Sequence, residues 1–254
     1  MKVFDVNKWT EYQDTLGSKL PSMIAQYDFS DQHIDFGYST QASAVYSSNI
    51  EGNTIDLNSY MNYQLSRDKL KHTKDVDEID NLVMAYRFAQ QHDLDKTNFL
   101  KCHELFPKTL VIKSKRGKYR IEKVGVYDAQ GLVYLAIEPE LIPEKMTELF
   151  DEISILLDKQ LAETEVFYYA SLIHLIFAHI HPFRDGNGRG ARLLEKWFVA
   201  SKLGERFWKI PSEKYYLDHR QAYYQNINLG VNYYELDYKL CLSFLLMLAG
   251  CLEK

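Results

Sequence analysis

Apolar residues recur at three- and four-residue intervals along most of this 254-residue chain, the spacing of helices with one buried face. Trp9, Tyr12 and Leu16 predict a helix beginning after Asn7, whereas Ile24 to Phe36 is polar and mixed. Ser39 to Ile50 predicts a helix stopped by Gly52, a residue suited to the position just past a helix end. Leu57 to Lys71 and Val76 to His92 also read as helices, the second with Ile79, Leu82, Val83 and Tyr86 on one face and Ala85 and Ala89 beside it. Asp95-Lys96-Thr97 looks like a helix entry leading into Phe99, Leu100, His103 and Leu105, and Pro107 ends that pattern. The period then changes. Gly117 to Ile137 is rich in Val, Tyr and Ile, with Asp128-Ala129-Gln130-Gly131 in its middle, which predicts a β-hairpin. A lone two-stranded ribbon is marginal in water, so it must pack on the helices or act as a flap. Helical spacing returns over Leu141 to Gln160, Thr164 to Ala178, the stretch holding Leu193, Leu194, Trp197 and Phe198, Tyr215 to Ile227, and Asp237 to Leu252. The expected fold class is mainly α, a compact helical bundle with a small β-hairpin flap.

Composition narrows the picture. The length suits one domain with at most a small appendage, and 46% hydrophobic residues can fill a sizeable core. The only break in the pattern lies near Asp93 to Asp95, dividing a helical region 1–95 from a domain 96–254. A net charge of −5 with interspersed signs argues against direct nucleic-acid binding. Val166 to Phe183 lacks Asp, Glu, Lys and Arg and reaches the length of a membrane span. Tyr168, Tyr169, Ser171, His174, His179, His181 and Pro182 interrupt it, which fits a buried core helix better. Cys102, Cys241 and Cys251 are widely spaced and read as reduced thiols. Met1 to Asp5 is charged from the start and has no apolar signal region, so a cytoplasmic location is expected.

The candidate chemistry sits in His181-Pro182-Phe183-Arg184-Asp185-Gly186-Asn187-Gly188-Arg189-Gly190-Ala191-Arg192, between an apolar segment and an amphipathic one. Glycine-rich backbone feeding a helix N-terminus makes an anion site, because free N–H groups and the helix dipole point at the ligand. Gly186 and Gly188 allow close backbone approach, and Asn187 supplies an amide donor. Arg189 and Arg192, three apart, are expected on one helix face as planar donors for phosphate. Asp185 is a hard oxygen ligand suited to Mg²⁺ on a polyphosphate. Phe183 reads as an apolar anchor. Pro182 ends the apolar helix and leaves His181 at its C-terminal end, which favours the protonated imidazole, so other contacts must keep it able to accept a proton. His174, His179 and His181 could in principle hold a metal, but no familiar ligand spacing is present.

His181 to Arg192 matches at every defining position the signature HxFx(D/E)GNGRxxR, and in this the chain resembles Fic-domain enzymes. The resemblance, spanning about Ser39 to Leu248, implies the Fic fold and transfer of AMP from ATP to a protein hydroxyl. It implies that His181 deprotonates the Ser, Thr or Tyr of a target and that Asp185 holds Mg²⁺. It further implies that the stretch Gly186, Asn187, Gly188, Arg189, Gly190, Ala191 and Arg192 binds the nucleotide, with Arg192 on the terminal phosphate. Gly186 stands where Doc-type kinases of the same superfamily carry lysine, which disfavours transfer from the γ-position.

A second motif is Ser47-Ser48-Asn49-Ile50-Glu51-Gly52-Asn53, where Glu51 faces the negative end of a helix dipole, an unfavourable local choice. Residues 47–53 resemble the inhibitory motif (S/T)xxxE(G/N) of Fic proteins with an N-terminal inhibitory helix (class II). By that resemblance Ser47 and Glu51 belong to an inhibitory helix, and Glu51 pairs with Arg192 through a carboxylate fork. Glu51 could equally orient a water for removal of AMP. Val124, Gly125, Val126 and Tyr127 correspond to the family flap, about 117–137, which lays a target segment beside the site. Tyr223 and Tyr224 fit the adenine-side aromatic pair, with Asn228 or Asn232 as the asparagine that follows. His103 reads as core. Relatives often self-associate, which leaves a homo-oligomer open. Three functions remain: a self-inhibited AMP-transferase, a de-AMPylating hydrolase using Glu51, or a non-catalytic nucleotide-sensing module.

Overall fold

The computed structural model describes residues 8–29, 36–66, 73–128 and 131–253. Six helices come first: α1 (Trp9–Leu16), α2 (Leu20–Gln26), α3 (Phe36–Ile50), α4 (Leu57–Leu65), α5 (Lys74–Gln90) and α6 (Lys96–Leu105). The antiparallel strands β1 (Gly125–Asp128) and β2 (Gly131–Leu135) follow. The rest is α7 (Ile142–Asp158), α8 (Glu163–Ile180), α9 (Asn187–Leu203), α10 (Ser212–Asp218), α11 (Arg220–Ile227), α12 (Leu242–Leu245) and α13 (Met247–Gly250). The chain is therefore mainly α with one small hairpin, as its periodicity predicts.

The axis of the fold is α8 packed along α9. A helix apolar all round must be covered on every side. Here α1, α2, α7, α12 and α13 pack on α8. Trp9 and Tyr12 of α1 place their rings 5.3 and 5.2 Å from that of Tyr168, so residues 8–29 help to cover the central helix. Among the described residues no helix is long and apolar enough to cross a membrane. One continuous apolar core runs from Tyr12 to Leu252.

Local signals explain most of the boundaries. Asp95 accepts a hydrogen bond from Asn98 N at 2.7 Å and Asp56 one from Ser59 N at 2.9 Å, capping α6 and α4. Gly52 follows α3 at φ 100°.

Three expectations need correction. The hairpin is shorter than Gly117 to Ile137, because residues 117–123 direct hydrogen bonds to α6 and to the glycine-rich turn rather than to a strand. Gly117 N donates to His103 Nδ1 at 3.0 Å, and Arg120 N donates to Pro182 O at 2.9 Å. Tyr215 to Ile227 is not one helix, since His219 leaves helical geometry (φ −110°, ψ 31°) between α10 and α11. Asp237 to Leu252 is likewise broken. The Asp237 side chain accepts from Lys239 N at 3.0 Å and starts a 3₁₀ turn, after which two short helices suffice to bury the apolar residues. In addition, α4 ends at Leu65, and 67–71 of the expected Leu57 to Lys71 helix lie outside the described residues, as do Met1 to Asn7 and the Ala129-Gln130 tip of the hairpin.

Register ties the flap to the body. Tyr127 pairs with Leu132 while Val126 pairs with Tyr134, so Val133 is an extra residue that bends β2. Leu135 N donates to Val231 O at 2.9 Å, fastening β2 to the chain beyond α11.

Candidate functional site

The end of α8 fixes the first side chain. Pro182 cannot continue the helix, and His181 takes the left-handed conformation (φ 51°), the single non-glycine residue with positive φ among those described. Such a conformation costs on the order of 1–2 kcal/mol outside glycine and persists only where the surroundings enforce it. Buried Arg120 does so: its Nε donates to His181 O at 2.8 Å, Nη1 to Glu122 O at 2.7 Å and Nη2 to Ile137 O at 2.6 Å. Nothing in the sequence pattern singles Arg120 out.

His181 Nδ1 lies 3.3 Å from Ala178 O, which assigns the Nδ1–H tautomer and leaves Nε2 as an acceptor. Burial, aided by the positive charge of Arg120, pulls its pKa down to about 4, against the Ala178 carbonyl, Glu51 and Asp185. The helix C-terminus therefore does not leave the ring protonated at neutral pH.

The turn is braced from within. Asn187 Oδ1 accepts from Phe183 N at 2.9 Å and its Nδ2 donates to Phe183 O at 2.8 Å. Phe183 is fully buried and stacks on His103 with centroids 3.5 Å apart. His103 is core, as expected, and its Nε2 meets Asp185 O at 3.0 Å. Gly186 has φ 85°, and a Cβ there would lie 2.5 Å from a ring carbon of Phe106.

Arg189 and Arg192, three apart in α9, serve different partners. Arg189 is buried against Glu78 of α5 and donates to Asp185 Oδ1 at 3.0 Å. Arg192, also buried, gives Nε to Ser47 Oγ at 2.9 Å, Nη1 to Tyr223 Oη at 3.2 Å, and Nη2 both to Ser47 O at 3.0 Å and to Glu51 Oε1 at 2.7 Å. The Arg192–Glu51 contact is thus single-pronged, not the expected fork, because Nε is taken by Ser47 Oγ and Nη1 by Tyr223. Burial alone would raise the Glu51 pKa, but Arg192, Arg189 and His181 outweigh it, so the carboxyl titrates below its usual value. A Cβ on Gly188 would overlap Glu51 Oε1, so this glycine admits the carboxylate.

One turn further along both helices, Lys196 Nζ donates to Ser43 Oγ at 2.8 Å and pairs with buried Glu213. Ser43 and Ser47, four apart, thus meet Lys196 and Arg192, four apart. The Ser39, Ser43, Ser47 spacing was a readable signal of a small polar stripe facing another helix; Lys196 and Glu213 had none.

A cavity of about 720 Å³ gathers part of this set. Of the expected residues, Glu51, Val126, Tyr127, His181, Asn187, Gly188, Tyr223 and Tyr224 line it. Ser47, Val124, Gly125, Asp185, Gly186, Arg189, Gly190, Ala191 and Arg192 do not line it. Gly190 instead packs on Phe177 and Phe99, and Val124 O accepts from Ala136 N at 3.1 Å. Asn228 lines the cavity, whereas Asn232 Oδ1 accepts from Tyr234 N and Glu235 N at 3.0 and 3.2 Å. Of the two, only Asn228 lines the cavity. Arg220, Gln221 and Gln225 complete the α11 wall, and sequence reasoning missed them because nothing marks which face of a short polar helix turns inward. Tyr224 Oη donates to Ile50 O at 3.1 Å, next to Glu51.

Asp185 keeps a 43% exposed side chain. Among the described residues no group of three His, Cys, Asp or Glu side chains could hold a metal by itself. An accessible carboxylate fits the way Mg²⁺ binds, through one or two protein oxygens with phosphates and water supplying the rest.

Residues 93–199 match the Fic/DOC family, a span that includes His181 to Arg192 but neither Glu51 nor Tyr223 and Tyr224. No curated protein matches the chain significantly. Among solved structures, a Fic family protein from Desulfovibrio desulfuricans is 22% identical with a TM-score of 0.78, over 95% of this chain and 73% of that one. A Fic-domain-containing signaling protein from Bacteroides thetaiotaomicron is 23% identical with a TM-score of 0.68, over 95% of this chain and 92% of that one. Fic-1 (residues 134–508) from C. elegans is 19% identical with a TM-score of 0.68, over 96% and 72%. The chain has the Fic fold.

Proposed function

We propose that this protein is a self-inhibited AMP-transferase that moves AMP from ATP to a Ser, Thr or Tyr hydroxyl of a target protein, with Glu51 as the restraint. The observation that carries the reading is that a proton-accepting His181 and the backbone of Asn187 and Gly188 line one cavity with Glu51. The target hydroxyl would give its proton to His181 Nε2 and attack the α-phosphorus, with pyrophosphate leaving. Backbone N–H groups at the start of α9 would bind phosphate. Mg²⁺ held by Asp185 would neutralise charge on the phosphates. The exposed β1 edge beside Val126 and Tyr127 suits an extended target segment added as a strand. Glu51, by occupying Arg192, would obstruct the terminal phosphate.

A second reading, removal of AMP, is favoured by one observation: the ionised Glu51 lines the same cavity as His181 and could orient a water. Labelled ATP with Mg²⁺ separates these readings. Glu51→Gly is expected to raise self-modification at least roughly tenfold, and His181→Ala within that variant to lower it by about 10²–10⁴. Unchanged labelling in both variants would overturn the transferase reading. Loss of AMP release from a pre-modified target on changing Glu51 would favour the hydrolase, and ATP binding without incorporation would favour a sensing module.

A further inference from the structure

His174 and Glu195 are fully buried, ionisable and unused by the proposed chemistry. They sit on the two central helices, at the back of Arg192. Tyr216 Oη donates to both Glu195 oxygens at 2.9 and 3.0 Å. His174 Nδ1 lies 3.1 Å from Glu195 Oε1, close enough for electrostatic attraction but without hydrogen-bond geometry. His174 Nε2 lies 2.9 Å from Tyr223 Oη, which in turn accepts from Arg192 Nη1 at 3.2 Å.

The protons in this row can be assigned. As a carboxylate Glu195 only accepts, and its attraction places the hydrogen of the neighbouring His174 on Nδ1, leaving a lone pair on Nε2. Arg192 can only donate, so Tyr223 Oη accepts from it and gives its own hydrogen to His174 Nε2. The hydroxyl therefore has one orientation. Remove the acceptor at His174 and its hydrogen must turn elsewhere, in competition with Arg192.

We propose that His174, backed by Glu195, is a positioning residue that orients the Tyr223 hydroxyl and so aims the Arg192 guanidinium. Three of the four Arg192 contacts come from Ser47 of α3 and from Glu51 just past its end; Tyr223 supplies the hold from α11. When Glu51 is displaced, that hold keeps Arg192 ready for an incoming phosphate. The geometry stands by itself, and its consequence for nucleotide rests on the proposed function.

His174 is ringed by Tyr216, Tyr223 and Phe244 with centroids 5.6, 5.7 and 5.1 Å away, so phenylalanine is accommodated in its place. The test uses the full chain with Glu51→Gly, carrying His174→Phe or His174→Gln. Two readouts apply: rotation of the Arg192 guanidinium by ¹⁵N NMR without nucleotide, and affinity for ATP and AMP by calorimetry. His174→Phe is expected to speed the rotation and weaken ATP about tenfold, leaving AMP, which lacks the terminal phosphate, within about twofold. His174→Gln, whose amide oxygen and nitrogen can meet Tyr223 and Glu195, is expected to restore both. Unchanged rotation, equal weakening of ATP and AMP, or failure of the glutamine variant to rescue overturns the proposal. Faster rotation with no ATP binding in any variant overturns the nucleotide reading and upholds the positioning chain.

Discussion

The glycine-rich turn and the hairpin flap both line the cavity, and they are held in opposite ways. The turn is fastened from several directions: Asn187 closes it on Phe183, Arg120 grips the His181 carbonyl, and His103 holds the Asp185 carbonyl. The flap is a four- and a five-residue strand with a bulge, anchored to the body through Leu135, with Tyr127 71% exposed. Groups that move protons must stay where they are put, because small displacements cost large factors in rate. A surface that receives another chain gains from open strand edges and exposed rings.

Among single substitutions, removing the anchor of the turn should have the largest effect on the fold. Phe183→Ala empties a site packed by His103, Phe99 and Phe177, and is expected to cost about 3–5 kcal/mol in denaturant unfolding. A loss under about 1 kcal/mol would mean that the turn is not seated on the core as its packing requires.

The second effect is on acid stability. Burial lowers the pKa values of His103, His179 and His181 to about 4. Between that value and the ordinary 6.5, the unfolded chain binds more protons than the folded one, so stability rises with pH across this window and falls on acidification through it. For the most buried, His103 and His179, the loss is on the order of 3 kcal/mol each by pH 4. Unfolding free energies measured from pH 7 to 4 should show proton uptake on unfolding; a flat profile above pH 5 would contradict neutral, buried imidazoles.

The smallest effect on stability belongs to the flap. Tyr127→Ala should leave unfolding within about 0.5 kcal/mol of the parent and, on the proposed function, slow modification of a protein target more than it weakens ATP. Equal loss of both would remove the contrast between turn and flap.

Much of this was legible along the chain. Helix positions followed from apolar spacing, and caps such as Asp95 and stops such as Gly52 and Pro182 act through neighbours only a few residues away. The hairpin was legible as a change of period, but its length was not. Residues 117–123 have strand-like composition, and their hydrogen bonds go to His103 and Pro182. Likewise the break at His219 carries no proline or glycine to mark it in the sequence.

The sequence by itself determined the mainly helical class, the position of the His181 to Arg192 turn and the residue types in it, because those depend on short-range geometry. Only the tertiary structure decided what each of these side chains does. It sent Arg189 to Glu78 and Arg192 to Ser47, Glu51 and Tyr223, separated Asn228 from Asn232, and set His174 behind Tyr223. Partners drawn from helices tens to more than a hundred residues apart meet only when α3, α8, α9 and α11 pack. In the buried space between them an arginine or histidine must find a hydrogen-bonding partner, since leaving it unpaired costs more than any local preference supplies.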